Sequence, residues 1–107
     1  MLTSIAGAAI SRTQALEGFV TAEAFYKQGE FAQAASAYEE ILTAGGESGA
    51  IYYNLGNTYY KMGELGKAML NYEKARQLIP RDSDLNFNYH YLRSKLGLTD
   101  PAVSMNF

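Results

Sequence analysis

The sequence contains no cysteine, no tryptophan, two prolines and one histidine. Without cysteine the chain can form neither a disulfide nor a thiolate zinc site, and it has no cysteine nucleophile. A single histidine offers no pair of imidazoles to a metal. The prolines stand at 80 and 101, so residues 12–79 are free of the strongest helix breaker.

The sequence also lacks a large excess of charge of one sign and long hydrophobic runs. Nine basic and eleven acidic residues give a net charge of −2, which does not provide the basic surface of a nucleic-acid binder. No apolar run approaches the roughly 18 residues that span a bilayer, so we expect any membrane association to come from parts outside this chain. The opening MLTSIAGAAISRTQA could be a signal or anchor remnant, but no Lys or Arg precedes its apolar residues. A frayed terminus or an early start to the first helix is the alternative.

The feature that organises the sequence is an internal repeat. Residues 26–39 read YKQGEFAQAASAYE, and residues 60–73 read YKMGELGKAMLNYE, 34 positions later, with seven of fourteen positions identical. A fixed period of this size predicts an array of stacked units. The units are residues 15–48 and 49–82, and a third unit begins at 83 and stops early.

Each unit divides into two helical segments around a glycine. Gly29 and Gly63 suit helix C-termini, Ser48 and Asp82 suit N-caps, and Pro80 ends a helix. We predict helices over 15–28, 31–44, 49–62, 65–78 and 83–96. They would form one domain over 15–97, after a flexible N-terminal segment 1–14 and before a tail at 98–107.

The helix faces indicate how the helices pair. Tyr52, Leu55, Gly56 and Tyr59 share one stripe of a helical period. Small residues, Ala22 or Gly56 against Ala34 or Ala68, would permit close crossing. A hairpin of this size cannot bury its apolar face alone, so neighbouring units must stack. The prediction is an all-α protein.

Period and pattern resemble the tetratricopeptide repeat. The second unit carries the signature at Tyr52, Leu55, Gly56, Tyr59, Ala68, Tyr72, Ala75 and Pro80. The first unit departs from it at Gly18, Ile41 and Gly46. The resemblance implies an α-α superhelix, or solenoid, of two helix-turn-helix repeats plus a C-terminal capping helix over 83–96.

A narrower resemblance covers residues 51–96. The stretch IYYNLGNTYYKMGELGKAMLNYEKARQLIPRDSDLNFNYHYLRSKLGL is similar to the repeat region of BatE-type bacterial oxygen-tolerance (aerotolerance) proteins. That likeness implies an adaptor or scaffold in a bacterial cell envelope, periplasmic or associated with the inner membrane, with the cytoplasm as the alternative location.

Residues for catalysis are not grouped in the sequence. His90 stands in the predicted fifth helix at the position equivalent to Gly56, where a packed or half-exposed role is the simpler interpretation. There is no GxxxxGK[ST] phosphate loop and no Gly-x-Ser-x-Gly nucleophile elbow. We expect no enzyme, no catalytic residues, no cofactor and no metal.

The informative pattern is a second aromatic stripe on the first helix of each unit, rotated about 100° from the core stripe. In solenoids that resemble this chain those positions line a concave groove, which implies a peptide or helix of a partner protein as ligand. Packing between repeats, coverage by the chain's own terminus and dimerisation are the alternatives. The predicted binding residues are Phe19, Glu23, Tyr26, Tyr53, Asn57, Tyr60, Phe87 and Tyr91.

The groove lacks the Lys, Asn and Arg clamp with which similar repeat domains hold acidic chaperone tails, because only Asn54 matches it. A mainly apolar or aromatic ligand, with one basic group near Glu23, is the expectation. The predicted function is therefore a protein–protein interaction module. Structural self-association into a homo-oligomer is the alternative.

Overall fold

The computed structural model describes residues 10–98, and within them the chain forms five helices and no strand. Helices α1 and α2 form one hairpin, α3 and α4 a second, and α5 follows alone. This confirms the predicted all-α repeat superhelix of two hairpins and a final helix. The helices are α1 (Arg12–Lys27), α2 (Phe31–Thr43), α3 (Gly49–Lys61), α4 (Leu65–Leu78) and α5 (Ser83–Lys95).

Helix α1 begins earlier than predicted. The Ser11 hydroxyl accepts a hydrogen bond from the Gln14 backbone N–H at 3.0 Å, and the Gln14 side chain accepts one from the Ser11 backbone N–H at 3.1 Å. This reciprocal capping box satisfies two donors at the helix start. Residues 12–14 are therefore helical, although the sequence placed them in a flexible segment. Residues 1–9 of that segment and 99–107 of the predicted tail lie outside the described residues.

The two hairpin turns are copies of each other. Gly29 has a φ of +79° and Gly63 a φ of +78°, the left-handed conformation in which glycine has no Cβ penalty. Each glycine N–H donates to the carbonyl three residues earlier at 3.0 Å, and the following glutamate N–H donates to the carbonyl five residues earlier at 2.9 Å. These bonds satisfy carbonyls at the helix end.

The predicted caps of the later helices are confirmed. The Ser48 hydroxyl accepts from the Ile51 N–H at 3.2 Å, and the Asp82 carboxylate accepts from the Leu85 N–H at 2.9 Å. Each bond occupies one donor that the first helical turn leaves open. Local sequence therefore sets where α3 and α5 begin.

Small residues bring the helices of each hairpin together, as predicted. Ala22, Ala34 and Ala68 are fully buried. A Cβ added to Gly56 would collide with the Tyr72 ring. That ring therefore lies directly against the α3 backbone, in space that any side chain at 56 would occupy.

The three departures of the first repeat from the family pattern form one packing cluster. A Cβ at Gly18 would lie 3.0 Å from Cγ1 of Ile41, and a Cβ at Gly46 would lie 2.6 Å from its Cγ2. Ile41 is buried, at 2% exposure. The large side chain at 41 thus occupies space that the glycines at 18 and 46 leave open.

The ends of the stack bury less than its middle. Seven residues of α3 are buried, against one of α1 and three of α5. At the register position of buried Ile51, α1 carries exposed Glu17, and at that of buried Gly56, α5 carries exposed His90. Polar end faces are typical of terminal repeats, which have no neighbour on one side.

Two glycine substitutions test the helix crossing. Gly56→Ala should destabilise the protein by about 1–3 kcal/mol, because its Cβ overpacks the Tyr72 contact. Gly66→Ala is the matched control in α4, since its Cβ would meet nothing within 4 Å. It should stabilise by about 0.4–1 kcal/mol through lower entropy of the unfolded chain. Urea unfolding measures both, and equal stability of the two variants would mean that the crossing is misplaced.

Candidate functional site

Helices α1, α3 and α5 lie side by side, and the surface that they form together is what we call the first-helix groove. It contains two adjoining pockets with Tyr26 and Asn57 in common. Because α1, α3 and α5 all contribute to one of these pockets, the groove joins both repeats and the final helix. The groove therefore exists only in the stacked structure.

The larger pocket, the aromatic pocket, has a volume of about 350 Å³. The centroids of the Tyr60 and Tyr91 rings lie 6.4 Å apart. Phe87 is 72% exposed and Tyr91 53% exposed, so both rings present apolar area to solvent. The pocket is lined by Tyr26, Asn57, Tyr60, Lys61, Tyr72, Phe87, Asn88 and Tyr91.

A part-buried polar network forms the floor of the aromatic pocket. The Asn57 side-chain oxygen accepts hydrogen bonds from the Tyr72 hydroxyl and from the Asn88 amide, the latter at 3.1 Å. The Asn88 amide also donates to the Tyr53 hydroxyl at 3.2 Å. These bonds join α3, α4 and α5. They occupy the Asn57 oxygen, so this side chain is left as a donor to a ligand.

The smaller pocket, the polar pocket, has a volume of about 170 Å³. Asn54 donates to the Tyr38 hydroxyl at 3.1 Å within it. Glu23 and Lys27 lie one helical turn apart on α1 and give the pocket charges of both signs. Its lining is Glu23, Tyr26, Lys27, Tyr38, Asn54 and Asn57.

Six of the eight predicted binding residues line the two pockets: Glu23, Tyr26, Asn57, Tyr60, Phe87 and Tyr91. The structure places the other two in packing. Phe19 contacts Tyr38 edge to face at 5.6 Å, and Tyr53 lies 6.3 Å from Tyr72. Both are partly buried against the core. Phe19 and Tyr53 line neither pocket, because each ring packs in part against the second helix of its own repeat, and their role in binding stays a prediction.

Sequence reasoning missed several lining residues. Tyr72 belongs to the repeat signature and was predicted only as core, yet its ring also reaches the aromatic pocket. Lys27 and Lys61 occupy the same register position, 34 residues apart, inside the two repeated stretches. Each directly follows a stripe tyrosine, Tyr26 or Tyr60, and this repetition was the signal that could have found them. The others missed are Tyr38, Asn54 and Asn88.

Burial changes the acidity of several tyrosines. Desolvation raises the pKa of Tyr72, Tyr38 and Tyr26 above the usual tyrosine value, most strongly for Tyr72. The raised pKa keeps the phenols of Tyr72, Tyr38 and Tyr26 protonated at neutral pH, where they can donate hydrogen bonds.

A shallower groove of about 570 Å³ lies between α2 and the start of α4. The Tyr59 hydroxyl donates to Glu39 at 2.8 Å, and Lys67 pairs with Glu64 at 3.7 Å. Burial, together with the Glu39 carboxylate, raises the pKa of Tyr59 to about 12. Four of the polar side chains of this groove, Glu39, Tyr59, Glu64 and Lys67, are thus already paired with one another.

Other kinds of site are not visible in the described part of the chain. Within residues 10–98 no three His, Asp or Glu side chains are grouped for a metal ion. No helix of that range is long and apolar enough to cross a membrane. His90 is exposed and its ring contacts Tyr89 edge to face at 5.1 Å.

Comparison with known proteins agrees with the fold. The family model of the tetratricopeptide repeat matches residues 49–82, the segment that contains α3 and α4. This match supports a tetratricopeptide repeat domain, and such repeats generally mediate protein–protein interactions and are typically non-enzymatic. A search of curated proteins found no match.

The polar floor and the exposed rings of the aromatic pocket should contribute differently to the stability of the protein. Asn57→Ala should destabilise the protein by about 1–3 kcal/mol, because the buried Tyr72 and Asn88 donors lose their acceptor. Phe87→Ser with Tyr91→Ser should change stability by no more than about 0.5 kcal/mol per site, as is usual for exposed positions. Thermal and urea unfolding measure both. Equal loss in the two variants would mean that the rings, not the network, carry the stability.

Proposed function

We propose that this chain is an adaptor that holds a peptide segment or helix of a partner protein in the first-helix groove. The observation that carries the proposal is the exposure of Phe87 and Tyr91, at 72% and 53%, beside Tyr60. Each ring could bury apolar area on binding while losing few rotamers. Aromatic side chains of this kind dominate the energy of many protein interfaces.

Hydrogen-bonding groups of the groove support the same ligand class. The side-chain NH2 group of Asn57 makes no hydrogen bond within the described range, where only its oxygen is bonded. The hydroxyls of Tyr60 and Tyr91 make none there either. They stand beside the rings, where a peptide backbone offers both carbonyls and N–H groups. A segment with apolar side chains at intervals would satisfy both kinds of contact.

We further propose that the chain has no enzymatic activity of its own. Its aromatic pocket contains rings, amides and one lysine, and no general base adjoins a nucleophile there. The groove is thus suited to holding a ligand.

Self-association is the rival function, and one surface favours it. Leu16 and Val20 lie one turn apart on α1 and are 62% and 56% exposed. A second copy could cover them. The residues at the two ends of the stack, such as Glu17 and His90, are polar, which disfavours end-to-end stacking of copies. The groove itself and the exposed α1 surface remain the two surfaces through which copies could associate.

The adaptor proposal is best tested with peptides, because the proposed ligand is a peptide segment or helix of a partner protein. A phage library of random peptides of about 12 residues, long enough to cross three helices about 10 Å apart, is selected on the native protein. Enriched peptides are then measured by fluorescence anisotropy. Phe87→Ser with Tyr91→Ser should weaken their binding by about tenfold or more.

The matched control is Leu70→Ser with Leu78→Ser on α4, whose side chains are 50% and 47% exposed and line neither pocket. It should leave binding within about twofold. Peptides that bind both double variants like the native protein would contradict the proposal. If sedimentation then showed a dimer that Leu16→Glu with Val20→Lys dissociates, self-association would be the function.

We propose a bacterial envelope, periplasmic or at the inner membrane, as the place where this adaptor acts. The proposal is motivated by the similarity of residues 51–96 to the repeat region of BatE-type aerotolerance proteins. Immunodetection in fractions of the native cells should find the full-length protein with the envelope. Recovery in the cytoplasmic fraction alone would exclude this location and leave the adaptor proposal intact.

A further inference from the structure

The aromatic pocket contains one formal charge, and it is positive. Lys61 lines the pocket, and none of the residues around it there is Asp or Glu. Lys61 is exposed and makes no ion pair with any residue between 10 and 98. The Lys61 ammonium can therefore pair with an anion from outside the described residues.

The polar groups around Lys61 favour an acceptor as ligand. The Asn57 oxygen is occupied by Tyr72 and Asn88, so its amide group can only donate. The Tyr60 and Tyr91 hydroxyls can donate as well. An ammonium with several neutral donors and no carboxylate matches an anionic oxygen, whose hydrogen bonds to such donors are the stronger, charge-assisted kind.

Acidic side chains lie elsewhere on the surface. In the neighbouring polar pocket, Glu23 lies one turn from Lys27. Glu39 and Glu64 stand in the groove between α2 and α4, where Tyr59 and Lys67 already contact them. Of the two pockets, the aromatic pocket is thus the one whose lining offers a partner's carboxylate a cation and no anion.

We infer that the aromatic pocket takes an acidic peptide segment of a partner: an apolar side chain enters between Tyr60, Phe87 and Tyr91, and an adjacent carboxylate binds Lys61. This inference rests on the proposed function and specifies its ligand. It replaces the expectation of a basic group near Glu23 as the main charge contact, because Glu23 shares its pocket with a lysine.

A helix-stabilising role is the competing explanation of Lys61. It stands in the last turn of α3, as Lys27 does in α1 and Lys95 in α5, where the helix dipole favours cations. That role would affect melting temperature and leave ligand charge preference unchanged. Lys95 is the matched control, since it has the same register position and does not line the aromatic pocket.

The test selects the same random peptide library in parallel on the native protein and on Lys61→Glu. Native selection should enrich Asp or Glu beside an aromatic or aliphatic residue, and Lys61→Glu should enrich Lys or Arg there. Native-selected peptides should bind Lys61→Gln about 1.4- to fivefold more weakly, the range for an ion pair at an exposed site. Lys95→Gln should bind them like the native protein. Added salt should weaken native binding more than Lys61→Gln binding.

Two outcomes would overturn the inference, and they differ. Peptides that depend on Phe87 and Tyr91 but show no acidic preference, or bind Lys61→Gln unchanged, would leave the adaptor function standing and remove its acidic ligand. Peptides that bind equally well when Phe87 and Tyr91 are replaced would show that the groove is not the binding site. The acidic-ligand inference would then fail together with the proposed function.

Discussion

The close approach of the two helices in the second repeat sets the geometry on which the groove depends. Because Gly56 has no side chain, the Tyr72 ring of α4 lies against the α3 backbone. From there its hydroxyl reaches Asn57, which also accepts from Asn88 of α5. One missing side chain thus lets a residue of the second helix reach the face formed by the first helices. It also joins the final helix to the repeat before it.

The groove combines a rigid floor with exposed walls. Its floor is made of part-buried side chains joined by hydrogen bonds, and such networks favour one arrangement of their members. Its walls include Phe87 and Tyr91, which are largely exposed. A ligand would therefore meet polar groups that are already oriented and rings that gain contact area on binding. Preorganisation of this kind lowers the ordering cost of association.

Much of the fold could be predicted because it is determined locally. Helix starts at Ser48 and Asp82 and turns at Gly29 and Gly63 follow from a side chain or a backbone conformation within a few residues. The start of α1 was wrong by three residues because the capping box at Ser11 was overlooked. The first repeat's departures from the family pattern were visible one by one. Their common cause, the buried side chain of Ile41, required contacts between distant segments.

The sequence by itself determined the repeat, the helix pairing and the aromatic stripe, because a period of 34 and a helical period within it are properties of the chain alone. Tertiary structure decided which stripe residues became surface. Helical spacing tells which residues share a face, but the neighbouring helix determines how much of that face it covers. Tyr53 is partly buried and Phe87 is largely exposed for that reason. The same stacking placed Lys61 beside the exposed rings, where no acidic side chain accompanies it.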